Sequence, residues 1–96
     1  MPLKIIYWTA SQWNQNVPGA VISSEALAIS GTSAQSGVTP SNAMFISLRN
    51  TETGGVAFKY DSANPTAVAT GPGIGPQERL WLDAVPGNKV AGITES

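Results

Sequence analysis

Residues 43–60 read AMFISLRNTETGGVAFKY, with two short apolar runs on either side of a polar, glycine-containing turn. In each run large apolar side chains alternate with smaller or polar ones, which is the period of a β-strand with one buried face. Ile46 and Leu48 share one face of the first run, and Phe58 lies on the apolar face of the second. We expect two half-buried strands, joined as a hairpin around residues 51–55, that supply much of the core.

Similar apolar runs recur along the chain between turn-forming Gly, Pro and Asn residues. They are residues 3–10, 26–30, 66–70, 79–84 and 89–94. Short strands at this spacing are typical of antiparallel sheets, because parallel strands need intervening crossover helices. The sequence predicts an all-β fold, a small antiparallel β-sandwich or jelly-roll-like barrel of about seven to eight strands. Residues 21–29 leave a helix open as an alternative.

The composition excludes several classes of protein. The chain has 96 residues, no Cys, no His, 5 Lys and Arg, and a net charge of −1. This length predicts one domain with a modest core, and the lack of Cys excludes disulfides and thiolate metal sites. The apolar run at residues 5–8 is too short for a secretory leader or a membrane span, and we expect neither. Five scattered basic residues argue against nucleic acid as a partner.

No catalytic constellation is apparent. Without His or Cys the usual nucleophile–base pairs cannot form, and no Ser stands three residues before a Lys. The carboxylates show no motif of a glycosidase pair or a metal loop. Residues 71–76 contain Gly but also prolines that remove the amide donors of a phosphate-binding loop, so we interpret them as a connection between sheets. We expect no enzymatic activity, no cofactor and no metal.

The N-terminal strand carries apolar side chains on both faces. Alternation places Leu3, Ile5 and Tyr7 on one face and Ile6 and Trp8 on the other. Whichever face enters the core, the second must be covered, and either another part of the chain or a second subunit would serve.

Two further tryptophans lie where polar residues dominate. Trp13, in the run of residues 11–16, is either an interface anchor or a side chain folded over the core edge. Trp81, between Arg79 and Asp83, points away from the core face; it would stack on a sugar, enter a subunit interface, or be capped by Arg79. The candidate protein-interface residues are therefore Ile6, Tyr7, Trp8, Trp13 and Trp81.

The chain divides into an N-terminal strand and aromatic loop, residues 1–25, expected to contact a neighbouring subunit, and a β-sandwich body, residues 26–96. Within residues 26–94, seven segments resemble small β-sandwich virion proteins of tailed bacteriophages, the capsid decoration or cement proteins. The segments are Ala34–Ser36, Thr39–Pro40, Ala43–Arg49, Gly55–Phe58, Asn64–Ala69, Leu80–Leu82 and Pro86–Ile93.

This resemblance implies a structural protein, made in the host cytoplasm and located on the capsid surface of the virion. Its expected partners are the major capsid protein, which it would bind and stabilise, and itself, as a homotrimer. The alternative is a carbohydrate-binding or host-adhesion module, in which Trp81 and a second aromatic residue would form a sugar-stacking surface. Carbohydrate is expected as a partner only in that case.

Overall fold

The computed structural model describes residues 2–11, 18–62 and 64–95, and in that part of the chain it contains β-strands and no helix. In chain order the strands are β1 (Pro2–Ala10), β2 (Pro18–Ala28), β3 (Ala34–Gln35), β4 (Phe45–Asn50), β5 (Val56–Asp61), β6 (Gly73–Ile74), β7 (Arg79–Asp83) and β8 (Lys89–Thr94).

The strands form two antiparallel four-stranded sheets. Sheet A has the order β2-β1-β4-β7, and sheet B has the order β3-β8-β5-β6. The predicted all-β class and antiparallel sandwich are confirmed.

The predicted hairpin around residues 51–55 is wrong. β4 pairs with β1 and β7 in sheet A, whereas β5 pairs with β8 and β6 in sheet B, so the turn carries the chain from one sheet to the other. Alternation identifies the buried face of each strand, but strands of either sheet turn that face inward, so it does not identify the partner.

The core lies between the two sheets and is formed by their inner faces. Its buried members are Leu3, Ile5, Tyr7, Leu27, Ala43, Ile46, Leu48, Val56, Ile74 and Val90. Phe58 packs against this cluster while remaining partly exposed. Burying each large aliphatic side chain contributes about 2 kcal/mol, so the core holds the two sheets together.

Asn50 links the sheets at one end of the sandwich. Its side chain is fully buried, and its Nδ2 lies 2.8 Å from the Gly54 carbonyl oxygen and 3.0 Å from that of Ile74. Its Oδ1 accepts a hydrogen bond from the Glu52 amide at 2.8 Å. β4 belongs to sheet A and Ile74 to sheet B, so a buried amide whose polar groups are satisfied fastens one sheet to the other.

The N-terminal strand belongs to the sandwich itself. β1 lies between β2 and β4, and the expected boundary between residues 25 and 26 falls inside β2. The helix alternative for residues 21–29 is wrong, since β2 runs as a strand to Ala28. Residues 66–70 form no strand, and the two-residue strands β3 and β6 were not predicted because they are too short to show a period.

Candidate interaction face

Two small residues on the outer face of sheet B are fully buried. Ala57 and Ala91 have no exposed surface, although neither belongs to the core cluster. Their neighbours Val56 and Val90 do belong to it, so alternation directs both alanines away from sheet A. Another part of the chain must lie over them.

The covering segment is the one between β5 and β6, described over residues 64–72. The Ala67 amide donates to Ser33 Oγ at 2.9 Å, and the Pro65 carbonyl oxygen accepts from Gln35 Nε2 at 3.0 Å. These bonds draw the segment across sheet B toward the β3 edge, and Ala67 is itself buried. The chain therefore covers the part of the outer face of sheet B around Ala57 and Ala91, while Lys59 on the same face stays exposed.

The outer face of sheet A carries larger side chains, and its charged residues and Trp81 are exposed. Three rows cross β1, β4 and β7 in register. The rows are Lys4–Arg49–Arg79, Ile6–Ser47–Trp81 and Trp8–Phe45–Asp83. We call these nine residues the outer face of sheet A.

An aromatic pair lies over the middle of this face. The ring centroids of Trp8 and Trp81 are 5.5 Å apart and their planes are tilted by 50°. Trp8 Nε1 donates to Ser47 Oγ at 3.1 Å, and Ser47 is only 1% exposed beneath the neighbouring side chains. Trp81 remains 44% exposed, so much of its surface is available to a partner.

The predicted outward direction of Trp81 on β7 agrees with the structure, and the structure decides which of the two apolar faces of β1 enters the core. Ile6 and Trp8 lie outward and half-buried, and Trp81 is outward and exposed. The capping of Trp81 by Arg79 is not observed: Trp81 contacts Trp8, and no cation among the described residues lies over its ring. Alternation predicted the outward direction, but this ring contact depends on the strand order β1-β4-β7.

A row of cations borders the aromatic pair. Lys4, Arg49 and Arg79 occupy directly opposed positions and are all exposed. They are three of the chain's 5 Lys and Arg residues, and no carboxylate in the described part of the chain forms an ion pair with them. Like charges at opposed positions repel, so the row costs stability in the isolated chain and favours an anionic partner.

Tyr7 lies in the core and not on a contact surface. Its side chain is 2% exposed, and its hydroxyl donates to Glu25 Oε2 at 2.9 Å. Burial, together with this bond, raises the pKa of the Tyr7 hydroxyl far above its usual range. Tyr7 is therefore removed from the interface candidates, because the same alternation that directs Trp8 outward directs Tyr7 inward.

Trp13, the remaining candidate, lies outside the described residues. The structure therefore brings Ile6, Trp8 and Trp81 together on one face. Phe45 and the three cations complete that face, and the sequence analysis did not select them. Each is unremarkable in its own strand, and only the pairing of three strands places them side by side.

A groove opens along the free edge of β7. It has a volume of about 600 Å³ and lies between β5, β7 and the covering segment. Its lining residues are Phe58, Lys59, Tyr60, Thr66, Val68, Pro72, Leu82 and Asp83. Most of the lining is apolar, which suits an apolar side chain more than a polar small molecule.

Within residues 2–11, 18–62 and 64–95, no three acidic, His or Cys side chains are grouped to hold a metal ion. The same residues include no helix long and apolar enough to cross a membrane. Comparison of the chain with protein-family models, with curated proteins and with solved structures gives no significant match. The fold defines the chain as a small all-β protein of two antiparallel sheets.

Proposed function

We propose that this chain is a structural virion protein, a capsid decoration protein that binds the major capsid protein and acts without catalysis. The observation that carries the proposal is the outer face of sheet A, where an aromatic pair lies beside a row of three cations that form no ion pair with the described residues. The segments between residues 26 and 94 that resemble decoration proteins give the proposal its particular partner.

The energetics favour docking through this face. Trp8, Phe45 and Ile6 are half-buried and Trp81 is exposed, so a partner that covers them removes apolar surface from water. The cation row would at the same time gain anionic partners and lose its mutual repulsion. We infer that the matching patch on the capsid is apolar at its centre and acidic along one side.

Binding of this kind stabilises a shell by mass action. A protein that binds assembled subunits and not free ones shifts the equilibrium toward the assembled state. The protein would be made in the host cytoplasm and reside on the capsid surface. The N-terminal residues would contribute Trp8, and also Trp13, which stays a prediction.

The experiment that tests this proposal is quantitative mass spectrometry of purified virus particles, counting copies of this chain for each major capsid subunit. We expect a simple ratio set by capsid symmetry. A handful of copies per particle would favour a tail or vertex location and the adhesion function, and complete absence from particles would overturn the proposal. A double substitution of Trp8 and Trp13 by Ala is expected to reduce capsid occupancy.

The second candidate function is carbohydrate binding, in a host-adhesion module. The observation that favours it is the contact between Trp81 and Trp8, because a sugar-stacking surface needs a second aromatic residue. The 50° tilt between the rings means that they form no single flat platform. Binding to a glycan array, with quenching of tryptophan fluorescence that is lost in Trp81→Ala, would favour this candidate over capsid binding.

A further inference from the structure

The four edge strands of the sandwich differ in how they are protected from pairing with other chains. β3 and β6 are only two residues long. β2 is longer, but its pairing with β1 is interrupted by register shifts, and its Glu25 side chain turns inward to bind Tyr7. Short length, bulges and inward charges are devices that block edge-to-edge pairing, and β7 has none of them.

β7 presents a regular row of open backbone groups. The Asn50 amide donates to the Glu78 carbonyl oxygen, and the Ala84 amide donates to that of Met44. Along an antiparallel strand, alternate residues point their N–H and C=O groups to the same side. The backbone N–H and C=O groups of residues 78, 80, 82 and 84 therefore point toward β4. Those of residues 79, 81 and 83 point away from β4, toward the free edge.

The residues whose backbone groups point toward the free edge are Arg79, Trp81 and Asp83. Their backbone groups have no strand beside them, and no backbone hydrogen bond within the described residues uses them. Each offers one donor and one acceptor to a strand laid along this edge.

The sequence of β7 is complementary to itself when two copies run antiparallel. β7 reads Arg79-Leu80-Trp81-Leu82-Asp83. With Trp81 at the centre, Arg79 of one copy faces Asp83 of the other, and Leu80 faces Leu82. The backbone groups of Trp81, at the centre, point toward the free edge. In this register the free backbone groups of residues 79, 81 and 83 therefore lie opposite those of residues 83, 81 and 79 of the second copy.

We propose that the β7 edge binds the β7 edge of a second copy of this chain about a twofold axis, joining two A sheets into one continuous sheet. Arg79, which forms no ion pair with any residue that the structure describes, gains the Asp83 carboxylate of the second copy. Opposite charges at opposed cross-strand positions attract, and the arrangement supplies two such pairs.

The inner side of the edge supports the same pairing. Leu80 and Leu82 are half-buried, and Leu82 lines the apolar groove along this edge. In the antiparallel register each leucine gains a leucine of the second copy beside it. The pairing therefore removes apolar surface from water on one face and forms charge pairs on the other. The inference does not rest on the proposed capsid function, although Arg79 and Trp81 belong to both surfaces. A twofold dimer replaces the homotrimer as our expectation for self-association.

The test is sedimentation equilibrium of the full chain over a concentration series. We expect the unmodified chain to reach twice the mass of one chain. Arg79→Asp and Asp83→Arg each turn both charge pairs repulsive, and each should raise the dimer dissociation constant by about tenfold or more. Lys4→Asp, the same change of charge on the same face but two strands from the edge, should leave the constant unchanged.

Two further samples make the result specific to this register. The double variant Arg79→Asp/Asp83→Arg restores opposite charges and should recover the dimer. An equimolar mixture of the two single variants should form a heterodimer, because one chain then carries two acidic and the other two basic residues at these positions. A variant that had failed to fold would not be recovered by mixing.

Four results would overturn the proposal. They are a monomer at every concentration, a trimer, a dimer that is indifferent to both charge reversals, and reversals that are not recovered in the double variant or the mixture.

Discussion

The outer faces of the two sheets differ in the size of their side chains and in what lies over them. On sheet B the chain lays its own residues 64–72 over small side chains, so that Ala57 and Ala91 are fully buried. On sheet A the corresponding surface carries Trp8, Trp81 and a cation row, and it stays open. Small residues suit a cover that is always present, whereas large aromatic and charged residues suit a partner that arrives from outside.

The largest expected effect comes from enlarging a side chain beneath the cover. Ala91→Phe should destabilise the fold by about 2–3 kcal/mol, because the added ring has no space between sheet B and residues 64–72. The matched control is Arg49→Phe on the open face, which should change the free energy of unfolding by about 0.5 kcal/mol or less. Urea denaturation of both variants measures the difference, and equal losses would contradict the comparison.

The second effect is a pH dependence of stability that comes from Tyr7, on the inner face of β1. The pKa of Tyr7 is raised in the folded protein, so above about pH 10 the unfolded chain loses this proton first and stability falls as the pH rises. The loss should approach about 1.4 kcal/mol for each pH unit in that range. Tyr7→Phe should show a correspondingly smaller loss when thermal unfolding is followed from pH 8 to pH 11. A parallel decline in both proteins would place the Tyr7 hydroxyl in contact with solvent.

The prediction of faces from the sequence succeeded because alternation is a property of one strand. It placed Leu3 and Ile5 on the opposite face of β1 from Trp8 and directed Trp81 outward, but it left open which face of β1 enters the core. The hairpin at residues 51–55 failed because pairing depends on the whole topology.

The candidate site was only partly predictable for the same reason. Lys4, Arg49 and Arg79 are far apart in the chain, and only the order β1-β4-β7 brings them into one row. The cover over sheet B was also not predictable, since residues 66–70 have the apolar composition of a strand but form none. The segment is instead held by one bond from Ala67 to Ser33 and one from Gln35 to Pro65.

A smaller effect is expected from loosening the cover. Ser33→Ala removes the acceptor of the Ala67 amide and should cost about 1 kcal/mol. Hydrogen exchange should then be faster at Ala67, while the amides of β1 keep their protection. Unchanged exchange at Ala67 would mean that the segment is held by packing and not by this bond.

The smallest expected effect on stability comes from the cation row. Arg49→Gln removes the central charge of three and should change the free energy of unfolding by about 0.5 kcal/mol or less, in the stabilising direction. Differential scanning calorimetry at low ionic strength measures this change. A clear loss of stability would show that Arg49 supports the fold, and the row would then need no external partner.

The most direct test of the open face is the binding of charge variants to virus particles assembled without this chain. Lys4→Gln/Arg49→Gln neutralises two cations of sheet A, and Lys59→Gln/Lys89→Gln makes the same change of net charge on sheet B. We predict that the sheet A variant loses particle binding while the sheet B variant binds as the unmodified chain does. Equal binding by both variants, or no binding of the unmodified chain, would contradict the assignment of this face to the capsid.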